Sequence, residues 1–294
     1  MYYIIYAFFY LLSLLPWFVM YAISNFISFV LYHIIKYRKN VILNNLAIVF
    51  PEKSIQEREK ICKQFYKNFV DTFIETIKCI SISKKQLNKR FKIDTNFLQE
   101  LYNIGKPVQF HTGHFFNWEY LNASLAIHLK HKWVGVYSPL SNKSFDRLIY
   151  NMRSRFGTIL IPTTHFKTKF HEYAGDMYAL GLAADQNPGN INNAYWLPFF
   201  GKMAPFARGP EKGAKLKNTT VVFANFYRIK RGHYKIDFEL ITTNAREYAD
   251  GELTKMYVSY IENCIKQRPD NYLWSHKRWK HQFNKQKFEK LVVK

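Results

Sequence analysis

The first 35 residues contain no Lys, Arg, Asp or Glu. A bilayer span needs roughly 20 such residues. A cleavable signal peptide would be shorter, open on basic residues and end on small ones, and a buried core helix would be far shorter. Pro16 kinks this stretch or divides it into a short interfacial helix and a span. Lys36, Arg38 and Lys39 follow at once, so the positive-inside rule assigns the rest of the chain to the cytoplasmic side. The expected organisation is a single-pass membrane anchor over 1–35 and one domain over 36–294.

Beyond the anchor the pattern changes period. Ser54-Ile55-Gln56-Glu57 is a capping-box sequence that opens a helix. Ile61, Phe65, Phe69, Phe73 and Ile77 then recur every fourth residue, an apolar stripe suited to core packing. Residues 81–92 form a polar link. From Val108 strand-like and helix-like runs alternate: strands near 108–110, 133–137, 158–161, 177–184 and 220–227, with helices near 142–156, 166–173 and 210–217. Such alternation predicts an α/β fold with a mostly parallel sheet and helical crossovers. Arg231-Gly232 turns the chain into a pairing strand over 233–241, and 253–267 is an amphipathic helix. The basic run from Lys285 to Lys294 is expected to be a solvated tail. No internal repeat or low-complexity segment is visible.

The chemistry concentrates at Val108 to Tyr120, where an apolar run ends in Thr112-Gly113 and His114 precedes Glu119 by five positions. On one continuous helix residues five apart lie about 140° apart and do not meet. They can meet if His114 is in the turn after a strand and Glu119 is in the first turn of a helix capped by Asn117. The expected product is a general base held in one tautomer by a carboxylate. His171 and Asp176 share the same spacing, but His171 precedes a strand. His114 follows one, where open α/β sheets place their sites, so His171/Asp176 reads as a surface pair. His111 and His114 with Glu119 make a weak zinc set across a strand–turn junction, and no metal is expected.

Charge adds a partner class. The chain of 294 residues carries a formal net charge of +22 and 18% aromatic residues. Nucleic acid, acidic lipid headgroups or an acidic protein would each complement it. Basic residues are dispersed, no nucleic-acid motif is present and an uncharged anchor comes first, so nucleic acid is disfavoured. Three scattered cysteines, Cys62, Cys79 and Cys264, fit a reducing compartment without a disulfide framework. There is no G-x-S-x-G elbow, P-loop, H-E-x-x-H or G-x-G-x-x-G.

Gly113-His114-Phe115-Phe116-Asn117-Trp118-Glu119 resembles the H-x4-E signature of the lipid A late acyltransferases, within the wider lysophospholipid acyltransferase class. Further blocks match in order. They are Asn44-Asn45-Leu46 with Phe50-Pro51, Tyr137-x-Pro139 with Arg155-Phe156-Gly157, Asp185-Gln186-Asn187-Pro188 with Leu197-Pro198-Phe199-Phe200-Gly201, and Tyr272-Leu273-Trp274 with His276-Lys277-Arg278-Trp279-Lys280. Together they cover essentially the whole chain. Two positions depart from the common pattern: Ser138 stands where many members have Arg, and Phe116 where many have Gly. The acceptor is therefore less fixed by the resemblance than the reaction class.

The resemblance implies a glycerolipid-acyltransferase-like fold and an enzyme on the cytoplasmic face of a Gram-negative inner membrane. It would move a fatty acyl chain from acyl carrier protein to a hydroxyl of a lipid A precursor without a cofactor. The alternative is a related acyltransferase acting on a glycerolipid or aminolipid. On this reading His114 is the base and Glu119 its orienter. Arg155, Tyr137 and Arg208 would contact substrate, and Asp185 would orient a group at a strand's carboxyl end. Backbone amides of the following helix, or Arg155, would steady the oxyanion. An acidic carrier and an anionic membrane surface both suit the basic charge.

Overall fold

A computed structural model describes residues 1–175 and 177–293. The uncharged stretch breaks at its proline. Helix α1 (Tyr2–Leu14) ends before Pro16, and α2 (Trp17–Phe29) continues through a wider π-helical turn, Val30–Ile35. Trp17–Ile35 is long and apolar enough to cross a membrane. Helix α3 (Lys39–Val49) leads to α4 (Ile55–Lys78), which opens with the expected capping box. The Ser54 hydroxyl accepts from the Glu57 N–H, and the Glu57 carboxylate accepts from the Ser54 N–H. Phe65 of the apolar stripe is buried, but Phe73 remains 50% exposed. The expected polar link is ordered as α5 (Lys84–Arg90), with a second capping box from Ser83 and Gln86, followed by β1 (Phe91–Lys92) and α6 (Thr95–Asn103).

The alternating segment follows as β2 (Val108–Thr112), α7 (Trp118–His128), β3 (Lys132–Tyr137), α8 (Lys143–Ser154), β4 (Ile159–Pro162), α9 (Phe166–Ala174) and β5 (Tyr178–Ala183). Its spacing is close to that read from the sequence. An unforeseen antiparallel hairpin comes next, β6 (Ala194–Phe199) and β7 (Lys202–Ala207), turning at Phe200 and Gly201, both with positive φ. Then come α10 (Gly209–Lys217), β8 (Thr220–Lys230), β9 (His233–Thr242), α11 (Glu252–Gln267) and the short α12 (Lys285–Phe288).

The main sheet has seven strands in the order β1-β9-β8-β2-β5-β3-β4, and β8, β2, β5, β3 and β4 are mutually parallel. β9 pairs antiparallel with β8, as the Arg231-Gly232 turn suggested. The fold is thus mixed α/β with a mostly parallel sheet. Crossovers through α7 and α8 run toward β4; those through α9 and α10 run back across the sheet. Right-handed crossovers moving in opposite directions must lie on opposite faces, which separates α7 and α8 from α9 and α10.

The basic tail is not solvated throughout. Phe288 is buried against Trp196 with ring centroids 4.8 Å apart, and the Val293 N–H donates to the Trp196 carbonyl. The β6–β7 hairpin, absent from the sequence reading, supplies the surface on which the tail packs.

Candidate active site

β2 and β5 are neighbours, yet the chain leaves β2 toward one face through α7 and leaves β5 toward the other through α10. Loops diverging from adjacent parallel strands open a crevice at their carboxyl ends. His114 follows β2 and Asp185 follows β5, so both enter that crevice. The Tyr257 hydroxyl of α11 spans its floor, accepting from the Ala184 N–H at 3.2 Å and donating to the Thr112 carbonyl at 2.7 Å.

Asp185 is His114's partner. Its Oδ1 stands 2.6 Å from His114 Nδ1 and accepts the His114 backbone N–H at 3.1 Å. The carboxylate is fully buried and the imidazole is 30% exposed. Burial pushes the imidazole pKa down, but attraction and hydrogen bonding to Asp185 outweigh it, so the net shift is upward from 6.5. Burial alone would raise the Asp185 pKa; its charge attraction and hydrogen bond to His114, with the Tyr272 hydroxyl, carry it below its ordinary value. Each group stabilises the charged form of the other. With Nδ1 engaged, Nε2 is the nitrogen available to a substrate proton.

Glu119 does not meet His114, which corrects the expected pairing. It is buried in the first turn of α7, where Asn117 caps the helix by accepting from the Glu119 and Tyr120 N–H groups at 3.0 and 3.2 Å. Its carboxylate accepts from Arg153 Nη2 at 2.6 Å and from Arg153 Nε at 3.0 Å on both oxygens. Trp118 Nε1 adds a fourth bond at 3.0 Å. Burial weakens the Arg153 charge, yet Glu119 more than offsets this and raises its pKa. The pair ties α7 to α8 beside the crevice. Asn117 is fixed from behind by the buried Glu75, which also accepts from the Tyr234 hydroxyl.

The carboxyl-terminal block holds the His114 loop. The Leu273 N–H donates to the His114 carbonyl at 3.0 Å, and the Phe116 N–H donates to the Asn271 carbonyl at 3.2 Å. Asn45 Nδ2 donates to the Trp274 and His276 carbonyls, both at 2.8 Å, so the post-anchor block secures the terminal one. Arg278, 1% exposed, donates to Asn187 Oδ1 and the Pro205 carbonyl beneath the loop that carries Asp185. These supporting roles were not read from the sequence; the only signal was that the matched blocks contain Asn45, Asn187 and Arg278.

The remaining expected residues scatter. Arg155 donates to the Cys79 and Ile82 carbonyls at 3.0 and 2.7 Å, so its guanidinium braces the end of α4. The arginine that pairs with Glu119 is Arg153, which was not singled out. Tyr137 ends β3 half-buried, with its ring edge toward Tyr150. Arg208 stacks on Tyr195 and lies 3.9 Å from Asp250 at the start of α10, away from His114's partners. His111 is buried on the opposite side of β2 from Thr112, paired with Gln109, and burial lowers its pKa to about 4. His171 is exposed on α9, and Asp176 lies outside the described residues. The backbone amides of His114, Phe115, Phe116, Glu119 and Tyr120 already have acceptors, which removes them as ready oxyanion donors.

On the α9–α10 face an apolar cavity of about 540 Å³ lies between Phe166 and Phe170 of α9, Tyr178, Leu180 and Leu182 of β5, and Leu216 of α10. It runs along β5 toward the strand end that leads to Asp185. Pro210 also borders a narrow gap beside Ala184 and Tyr257 at the crevice floor.

A family model described as bacterial lipid A biosynthesis acyltransferase matches residues 1–281. A search of curated proteins finds no match.

Proposed function

The chain belongs to the bacterial lipid A biosynthesis acyltransferase family and is an acyltransferase; from that premise we propose that it moves a fatty acyl chain from an acyl carrier protein thioester to a hydroxyl of a lipid A precursor. The observation that carries the mechanism is the 2.6 Å contact between His114 Nδ1 and the buried Asp185. Asp185 holds the neutral ring with its proton on Nδ1 and stabilises the imidazolium once it forms. Nε2 takes the acceptor hydroxyl's proton as that oxygen attacks the thioester carbonyl. The tetrahedral intermediate then expels the carrier's thiolate, which takes the proton from Nε2 and leaves as the thiol. Glu119 and Arg153 fix the α7–α8 wall in this scheme and take no proton.

The donor's chain would occupy the cavity along β5. The charge of +22 suits both an acidic carrier and the cytoplasmic face of an inner membrane.

Transfer from acyl carrier protein to a lipid A precursor, followed by mass spectrometry of the product, tests the reading. Salt should weaken transfer from the carrier much more than from a neutral short thioester, because opposite fields are screened over about 8 Å at physiological ionic strength. Equal salt dependence in detergent without anionic lipid would remove carrier docking. Product found only on a glycerolipid or aminolipid would reassign the acceptor.

A further inference from the structure

The length of Trp17–Ile35 allows a crossing, but its packing argues against one. We propose that α1 and α2 lie in the plane of a single anionic leaflet, against the catalytic domain, and do not carry the chain across the bilayer.

A crossing Trp17–Ile35 would place its start roughly 28 Å from its end along the membrane normal. Both ends and the middle of this segment are instead fastened to α4 and the turn after it. The Tyr66 hydroxyl donates to the Tyr37 carbonyl at 2.5 Å. Ser24 donates to Asp71 at 2.6 Å and the Tyr21 hydroxyl to Glu75 at 2.9 Å. At the elbow between the helices, Lys78 Nζ donates to the Ser13 and Leu15 carbonyls, both at 2.6 Å, and Ser81 donates to Ser13. Contacts therefore advance along α4 as they retreat along α2, and the two helices lie antiparallel.

α4 cannot accompany α2 into a bilayer. Its Glu75 holds Asn117 of the site loop, and its Asn68 donates to the Asp270 carbonyl. Arg231 pairs with Asp71 at 2.6 Å, opposite Ser24 near the middle of the apolar helix. Arg90 lies 3.5 Å over the Trp17 ring. A perpendicular α2 would bring these charges to bilayer depth, where they are strongly disfavoured.

An in-plane arrangement satisfies the same residues. Ser13, Met20, Ser24 and Ser28 turn inward and are buried. Ile4, Phe8 and Leu11 on α1 and Phe18, Phe26 and Phe29 on α2 face outward, each more than half exposed. Interfacial helices bury such a face about 5–10 Å into a leaflet. Arg147, 4.2 Å over the Tyr2 ring, and the exposed Lys36 at the far end of the segment lie where anionic headgroups would meet them. α1 is strapped to α8 as well, by the Phe9–Phe145 ring contact and by Asn151 donating to the Tyr2 hydroxyl. α8 carries Arg153, so the leaflet surface lies next to the wall of the active site.

The distinguishing consequence is where Met1 lies. A crossing α2 puts α1 and the amino terminus on the far side from the catalytic domain; the in-plane arrangement puts both on one side. A short hydrophilic extension bearing one cysteine is placed before Met1 in the full-length protein, whose own Cys62, Cys79 and Cys264 are buried. A membrane-impermeant maleimide is applied to spheroplasts and to inverted inner-membrane vesicles, with detergent-solubilised protein as the labelling control. Labelling in inverted vesicles and none in spheroplasts is expected. Labelling in spheroplasts would overturn the proposal whatever the acyl acceptor proves to be, since the readout does not depend on activity.

Discussion

Two carboxylates border the crevice and do different work. Asp185 faces an imidazole that is 30% exposed, with one nitrogen still free for substrate, whereas Glu119 is enclosed by Arg153 and Trp118 with all its bonds turned inward. In the proposed mechanism the first pair changes protonation, because Asp185 holds Nδ1, favours the imidazolium and leaves Nε2 free for the acceptor's proton. The second pair joins a carboxylate to a guanidinium that never gives up its proton, so its role is to hold α7 against α8. A carboxylate's function here follows from its partner and not from its spacing in the chain.

The largest effect should come from His114→Ala. Loss of a general base lowers the rate about 10²–10⁴-fold. The thermal midpoint should fall but the fold should persist, because the buried Asp185 loses its imidazole partner and keeps the His114 N–H. Product formation together with a melting curve checks both halves.

Asp185→Asn should come next, with a loss of about 10²-fold or more. It should also carry a pH signature. The active base is neutral and Asp185 raises the His114 pKa, so wild-type activity should fall as pH drops through a value above 6.5. Removing the carboxylate lowers that pKa and moves the acid limb to lower pH. An unshifted limb would mean that Asp185 does not face the base during turnover.

Glu119→Ala should act mainly on stability, about 3–5 kcal/mol, because it strands a largely buried guanidinium. Arg153→Ala should cost a similar amount, and the double variant less than the sum of the two. Urea melts measure these energies. If Glu119→Ala left stability intact but shifted the acid limb, the roles of the two carboxylates would have to be exchanged.

Smaller effects separate bracing from binding. Arg155→Ala removes two bonds to the carbonyls at the end of α4, about 1–3 kcal/mol of stability, and should leave the acceptor KM unchanged. A raised KM at normal stability would restore Arg155 as a headgroup ligand. His171→Ala, exposed on α9, should stay within about 0.5 kcal/mol of wild type.

Much of the architecture was legible because it rests on local periodicity. The alternating runs from Val108, the capping box at Ser54 and the Asn117 cap each need only neighbours within a few residues. The β6–β7 hairpin escaped because Ala194–Phe199 is buried at all but one position, Lys202–Ala207 is buried over three consecutive residues, and each carries a proline, which hides the alternation. His114 was singled out because it follows a strand's carboxyl end, and it does lie just past β2.

By itself the sequence determined the order of the alternating strands and helices from Val108, the capped starts of α4 and α7, the uncharged helices at the amino terminus and the place of His114 past a strand's carboxyl end. These follow from side-chain chemistry acting over one or two turns. Only the tertiary structure decided which carboxylate meets His114, because Asp185 lies 71 residues away and is brought in by the pairing of β2 with β5. It likewise assigned Arg153 to Glu119 and laid α2 along α4. In each case the partners are set by strand order and helix packing, which short-range sequence patterns do not encode.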